Sequence, residues 1–449
     1  MCTSAGMLVA SLASVDREAA GRSSLAERAS AVKERLASQS SAQSISMDWQ
    51  RRAGCGLQES EDPPACWAAR PALDPQRGSV IFAVGAGGSR SGTALQNVGV
   101  RAGLLTVRVN FSQREGIVLK HRGPVQELSI PTGTGASRDD SGSWFGPVTS
   151  PANPRPFKWR GRAMVTTNGM AKHALRECQH DLVIVSDLER NESLVLVPPN
   201  GTTRPMDPTR RMDQACPVQR DEKNWSPLVL KDQRLLFVYQ HEPLQVVQVN
   251  APNPTSVLDG RVDWVYRAPD DASIPSACRG VRGGSPYVHW EGSYYVALGH
   301  VQCGVLTERG CRMWSWRSDP HHCDRHRRTP LSWNHSCSRA YRTVVTVLDT
   351  KSWDLFCSPR LSFAPPSLWQ CTQGWRGKWD VQYVHSLVPS GSYMFVGMEF
   401  ENRCPTVIRV ERSDFATLVD ATIAGALAPD PELHEETIKV SPQVSRWAF

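Results

Sequence analysis

The sequence predicts an all-β protein, a five-bladed β-propeller with a disordered N-terminal tail and a Cys-rich insertion. Three observations carry that expectation. Short apolar runs of strand length, rich in Val, Ile, Leu, Tyr and Phe, recur from about Gly78 to Arg412, separated by Gly, Pro, Asn and Asp. No sustained helical periodicity runs between those limits. Four segments spaced at roughly 50–70 residues repeat one layout: a Pro-containing polar turn, a strand, a tight polar turn and a second strand. The first two observations suit a sandwich, a barrel or a propeller alike. The third selects the propeller.

Residues 1–75 read as a low-order tail rich in Ser, Ala and Arg. Within it, SLAERASAVKERLASQSSAQ (24–43) spaces Leu25, Ala29, Val32 and Leu36 at helical intervals, one short amphipathic helix at best. The propeller is expected over 76–415. Its strand candidates are SVIFAVG, LLTVRVNF, GRAMVTTNG, DLVIVSDL, SLVLVP, RLLFVYQ, LQVVQVN, DWVYRA, SYYVALGH, YRTVVTVLD, YMFVGMEF and TVIRVER. The repeated blocks are NPRPFKWRGRAMVTTNG (153–169), NWSPLVLKDQRLLFVYQHEP (224–243), RGGSPYVHWEGSYYVALGH (282–300) and DVQYVHSLVPSGSYMFVGMEF (380–400). With an opening block near 78–150 they make five. Residues 303–340 form a Cys/His-rich insertion, and 416–449 a C-terminal extension.

The chain has 449 residues, 40% hydrophobic and 21% charged, which suits a globular protein with a real core. A net charge of +7 is modest, and the cations are scattered among acids, so nucleic acid is not an expected partner. No run approaches the roughly 20 apolar residues of a membrane span. The 13 cysteines concentrate in the C-terminal half, and Asn-x-Ser/Thr triplets stand at Asn110, Asn191, Asn200, Asn224 and Asn334. Together these point to the secretory pathway, either the Golgi or ER lumen or the extracellular space. The cytoplasm is the alternative: sequons arise by chance, and the cysteine count is odd. MCTSAGMLVASLAS has an apolar patch without a basic leader, so it makes a poor signal peptide.

In a propeller the first strand of every blade lines a central channel, so the polar blade openings converge on one funnel. Arg282 would stand at the mouth of its blade. Gly283, Gly284, Ser285 and Pro286 would keep side chains clear for a ligand to approach the backbone.

The block motifs resemble the five-bladed carbohydrate-active propellers, among them the inverting mannoside phosphorylases, β-mannosidases and related mannosyltransferases. A divergent eukaryotic and viral branch is nearer still. The resemblance covers roughly 145–412 and rests on Glu222-Lys223-Asn224-Trp225-Ser226-Pro227, on Arg282-Gly283-Gly284-Ser285-Pro286 and on Leu298-Gly299-His300. It implies glycosyl transfer or phosphorolysis on a mannoside-like glycan, with no cofactor and no metal. The expected partners are a glycan or sugar phosphate, with inorganic phosphate as a further one. Arg155, Lys223, Arg282 and His300 would be funnel cations for phosphate, Arg supplying a planar fork and Lys a point charge. Asn224 would hydrogen-bond a sugar hydroxyl or phosphate, Trp225 would offer a stacking platform for a pyranose ring, and Glu242 would be a polar substrate contact. The bland reading of the same polar residues is blade-to-blade hydrogen bonding, and of Glu242 solvent exposure.

Two departures matter. The position of the family's general acid falls on Asn153, and an amide cannot protonate a leaving glycosidic oxygen. The last block reads Gly397-Met398-Glu399-Phe400-Glu401-Asn402-Arg403, without the usual Asp. Asp221, Glu222, Asp380, Glu399 and Glu401 are the remaining carboxylates near the blocks. Asp380, opening the fourth block, is the catalytic candidate, with turn formation as its ordinary role. A non-catalytic glycan-binding propeller and a structural or interaction propeller therefore stay open.

The segment 303–337 carries Cys303, Cys311, Cys323 and Cys337 with His321, His322, His326 and His335. Its spacing fits no zinc pattern, so disulfides are expected to pin it. GAGGSRSG (85–92) fits neither a P-loop nor a dinucleotide fingerprint and reads as a turn. No Gly-x-Ser-x-Gly elbow is present.

Overall fold

The computed structural model of the chain describes residues 4–38, 42–44, 66–74, 79–86, 102–112, 116–119, 126–127, 145–173, 179–187, 190, 192–197, 224–250, 260–269, 272, 275–303, 340–363, 382–400 and 404–427. A long helix, α1 (Ser4–Ser38), precedes a short strand, β1 (Ala42–Ser44). The strands β2 (Cys66–Asp74), β3 (Ser79–Ala86), β4 (Ala102–Ser112), β5 (Gly116–Leu119) and β6 (Gln126–Glu127) form one sheet, with β4 pairing both β5 and β6. An eight-stranded sheet follows. It holds β7 (Phe145–Trp159), β8 (Arg162–His173), β9 (Gln179–Asp187), β10 (Glu192–Val197), β11 (Ser226–Val229), β12 (Leu235–His241), β13 (Leu244–Val249) and β14 (Gly260–Arg267). It is two antiparallel runs, β7 to β10 and β11 to β14, joined where β10 and β14 pair in parallel. The next sheet contains β15 (Val281–Arg282), β16 (Val288–Glu291), β17 (Tyr294–Cys303), β18 (Ala340–Asp349) and β19 (Leu355–Cys357). The last combines β20 (Gln382–Ser390), β21 (Tyr393–Phe400) and β22 (Cys404–Glu411) with β1 on its edge, and a helix α2 (Arg412–Ile423) completes the described chain.

Every strand candidate named from the sequence overlaps one of these strands. Period-two alternation explains how the sheets stack, because successive side chains leave a strand on opposite faces. In β12, Leu235 and Phe237 join a core with Phe157, Trp159, Met164 and Val185 of the preceding strands. Leu236 and Val238 enter a second core with Tyr295, Ala297 and Val344 of the following sheet. In β17, Val296 and Leu298 turn the other way, into a third core with Val384, Val396, Met398 and Ile408. Sheets buried on both faces explain why so many of these runs are continuously apolar.

The chain ends depart from expectation. The tail expected over 1–75 contains α1, β1 and β2, and the expected boundary at 415 falls inside α2. The stripe of Leu25, Ala29, Val32 and Leu36 is the reason. Ala29, Val32 and Leu36 are buried in the third core beside Phe415, Leu418 and Val419 of α2. Arg35 also pairs with Asp414. Tertiary burial of one face, rather than propensity, holds such a helix. Trp290 anchors α2 from below, its ring 5.8 Å from Phe415 and 5.7 Å from the Arg412 guanidinium. Only Cys303 of the expected insertion's cysteines lies among the described residues.

Cys278 and Cys357 form a disulfide across 79 residues of sequence, both sulfurs buried in the second core. It ties the turn that leads into β15 to β19. Replacing both by Ala removes the cross-link from the unfolded chain's constraints and is expected to cost about 2–5 kcal/mol, read from the urea midpoint of the oxidised protein against the double variant.

Candidate functional site

Arg155 lies on β7, in an irregular stretch where the register slips between the Ala152–Asn168 and Arg155–Thr166 pairs. Its side chain is fully buried. Its Nε donates to the Gly284 carbonyl, and its Nη2 donates to Asn224 Oδ1 at 3.1 Å and to Tyr383 Oη at 3.2 Å. The Tyr383 hydroxyl in turn donates to Asn224 Oδ1 at 2.6 Å. One guanidinium thus joins β7, the segment leading into β11, the β15–β16 link and β20.

Local chemistry lets these segments close. Asn224 has φ +66°, a left-handed conformation that Asn tolerates better than most residues. A Cβ at Gly283 would lie 2.0 Å from the Asn224 carbonyl oxygen, and one at Gly284 would lie 2.3 Å from the Leu298 carbonyl oxygen. The two glycines are therefore required by contact, not by a turn. Ser285 then stitches the link to β17: its N–H donates to the Leu298 carbonyl and its Oγ accepts from Leu298 N–H, both at 2.9 Å. Tyr287 N–H donates to the Pro227 carbonyl at 2.7 Å, so the link runs parallel to β11.

Arg282 and His300 face each other as register partners on β15 and β17. Arg282 is exposed, whereas His300 is 1% exposed. The His300 ring lies 4.5 Å from that of Tyr383 and 5.5 Å from that of Tyr341. Its Nδ1 has no hydrogen-bond partner among the described residues. Burial holds His300 well below the ordinary imidazole pKa, and Arg282, Arg155, His241 and His385 push the same way. It is neutral at pH 7. His241, also buried, is lowered by burial to about 4, and its Nε2 lies 3.1 Å from the Tyr287 hydroxyl.

The structure brings together Arg155, Asn224, Arg282 and His300, but it corrects three roles. Arg155 is a buried strut with its Nε and Nη2 committed to protein partners, not a ligand-facing cation. His300 is a neutral imidazole, because a protonated ring at that depth beside two guanidiniums would be costly. Trp225 is no sugar platform: it is 1% exposed, with Phe237 at 5.9 Å and Tyr239 at 5.0 Å. Glu242 is half-buried, and its carboxylate accepts from Gly280 N–H in the turn before β15. Asn153 stands on β7 two residues before Arg155. Lys223, Asp380, Asp221, Glu222 and Glu401 lie outside the described residues, while Glu399 stands opposite Tyr383 in the β20–β21 register. Tyr383, the residue missed in the sequence, supplies the hydroxyl that completes the cluster. Its signal was DVQYVHS at the opening of the fourth block, where a strand tyrosine reads first as packing. No cluster of three or more metal-binding side chains occurs among the described residues.

No family model matches the chain, and no curated protein matches it. Among solved structures it is similar to a glycosyl hydrolase from Bacteroides ovatus, at 11% identity over 80% of this chain and 88% of that one, with a TM-score of 0.41. It is similar to a mannose phosphorylase from Leishmania mexicana solved with phosphate ion, at 10% identity over 83% and 93%, with a TM-score of 0.38. A β-1,2-mannobiose phosphorylase from Listeria innocua stands at 10% identity over 79% and 92%, again with a TM-score of 0.38. The likeness is distant.

Two outcomes follow from this geometry. Gly283→Ala is expected to disrupt the Asn224 contact and lower the melting temperature, whereas Gly292→Ala, with open space around it and φ +54°, is expected to cost about 1 kcal/mol from backbone strain alone. Differential scanning calorimetry of the two variants checks this. The buried imidazoles also set a pH dependence. His241 titrates near 4 when folded against 6.5 for a solvated imidazole, so the unfolded chain binds the extra proton as pH falls between those values. Stability is then full above pH 6.5 and declines below it, His241 alone removing about 3 kcal/mol by pH 4. Urea midpoints across that range check the slope, which His241→Gln should flatten.

Proposed function

We propose that the chain is a five-bladed β-propeller whose axial mouth binds a mannoside-like glycan together with phosphate or a sugar phosphate, for glycosyl transfer or phosphorolysis. The observation that carries this reading is the convergence of Arg155, Asn224, Gly284 and Tyr383 from four sequence-distant segments, beside the exposed Arg282. Antiparallel strand groups that follow one another in chain order and share cores face to face support the radial arrangement. Arg282 offers a planar fork to an anion. The half-buried Asn224 amide and Tyr383 hydroxyl offer donors and acceptors to sugar hydroxyls. Arg155 acts through them as a positioning residue, and neutral His300 presents an imidazole nitrogen without spending charge.

A second reading, a glycan-binding propeller without turnover, is favoured by Asn153 at the position where the resemblance expects the acid. Glu399 is the carboxylate to test in its place.

Incubation with mannose-1-phosphate or a nucleotide-mannose and a panel of acceptors distinguishes the readings by released phosphate or nucleotide and by new glycosides. Turnover is expected to fall at least about a hundredfold in Arg282→Ala and in Tyr383→Phe. Saturable glycan binding that Arg282→Ala weakens, with no turnover, selects the second reading. A protein that neither turns over these donors nor binds a glycan array overturns both.

A further inference from the structure

The strands that carry the Arg155 cluster continue past it and end around a second opening. From Asn224 to Val229, and from Tyr383 to Val388, is five residues, about 16 Å of extended chain. There they enclose a cleft of about 660 Å³. Its walls are built alike from each segment: Pro156 and Phe157, Pro227 and Val229, Pro286 and Tyr287, Leu387 to Pro389. Each segment contributes a proline, which has no backbone N–H to donate, and the walls are mainly apolar. Phe157, Tyr287, Leu387 and Val388 are buried, whereas Val229 and Val288 are half-buried.

The rim differs from the walls. Lys158, Arg160 and Lys231 line the cleft and are exposed. Among the described residues, no carboxylate lines it. Asp232, next along the chain, is tied to Arg234 by an ion pair of 2.7 Å. The Arg160 guanidinium lies over the Trp159 ring at 4.7 Å, while its backbone N–H donates to Gln233 Oε1 at 3.0 Å, which holds the turn in place. Lys231 Nζ donates to the Gly292 carbonyl at 3.1 Å and has two further protons to give. An apolar hollow of this size suits a small organic ligand, and a rim whose charged groups are Lys158, Arg160 and Lys231, with exposed Gln233 and His289 beside them, selects one with a negative head.

We infer that this second mouth binds a small amphiphilic organic anion, its apolar body against the proline-lined walls and its acidic head on Lys158, Arg160 and Lys231. The site shares strands with the Arg155 cluster but no side chain, so it stands whether or not the glycan reading holds.

The test uses the full chain and two probes of matched shape, 1-anilinonaphthalene-8-sulfonate and the uncharged N-phenyl-1-naphthylamine. Fluorescence titration is expected to show one saturable site, with the sulfonate bound at least about tenfold tighter than the neutral amine. Lys158→Glu with Lys231→Glu, two exposed positions, should cost the sulfonate at least about tenfold and leave the amine unchanged. Val229→Trp should weaken both probes by filling the hollow; melting curves establish that each variant is folded, and an unfolded Val229→Trp leaves the decision to the charge-reversed protein. Equal affinity for the two probes, no saturable site, or sulfonate affinity unchanged by charge reversal overturns the inference. So does loss of sulfonate binding in Arg282→Ala, which would place the probe at the opposite mouth.

Discussion

A guanidinium removed from water must have its N–H groups met by acceptors, or the burial is prohibitively costly. Arg155 meets that demand with groups from three other segments, and the demand fixes where those segments stand. The Gly284 carbonyl, the Asn224 amide oxygen and the Tyr383 hydroxyl each belong to a different segment. None can drift without stranding a donor in a dry interior. The surrounding residues are those that permit so close an approach. Gly283 and Gly284 have no Cβ to collide with neighbouring carbonyls, and Asn224 accepts a left-handed backbone. Arg282 and His300 are then delivered to the same region by β15 and β17 as register partners.

Strands were legible because each is a short apolar run between turn formers, and because two-sided burial makes those runs dense in Val, Ile and Leu. The helix α1 was only half legible. Its stripe at Leu25, Ala29, Val32 and Leu36 is visible, but its order depends on α2 and the last sheet, hundreds of residues away, and no local pattern reports that. The site followed the same division. Motif positions such as Arg282 and Asn224 are readable as letters, whereas depth is not. Burial turned Arg155 from a ligand contact into a strut, made His300 neutral, and put Trp225 into the core with Phe237 and Tyr239. Tyr383 went unnoticed because its hydroxyl matters only once Asn224 lies 2.6 Å away.

The strands that carry the Arg155 cluster have a polarity of their own. One end carries amides, a hydroxyl and a guanidinium in mutual contact, and the other carries prolines and aliphatic side chains under a cationic rim. A strand can do both because neighbouring positions along it meet different surroundings. Arg155 and Lys158 are only three residues apart on β7, yet one is wholly enclosed and the other faces water.

The pairing of Ala42–Ser44 with residues 406–408 places the first strand on the edge of the last sheet. During vectorial synthesis that edge cannot form until β22 has left the ribosome. The nascent chain must therefore carry α1 and β1 without their partners through most of translation. Closing so long a loop is slow, which makes the final latch a late event in maturation and leaves the apolar stripe of α1 uncovered until then.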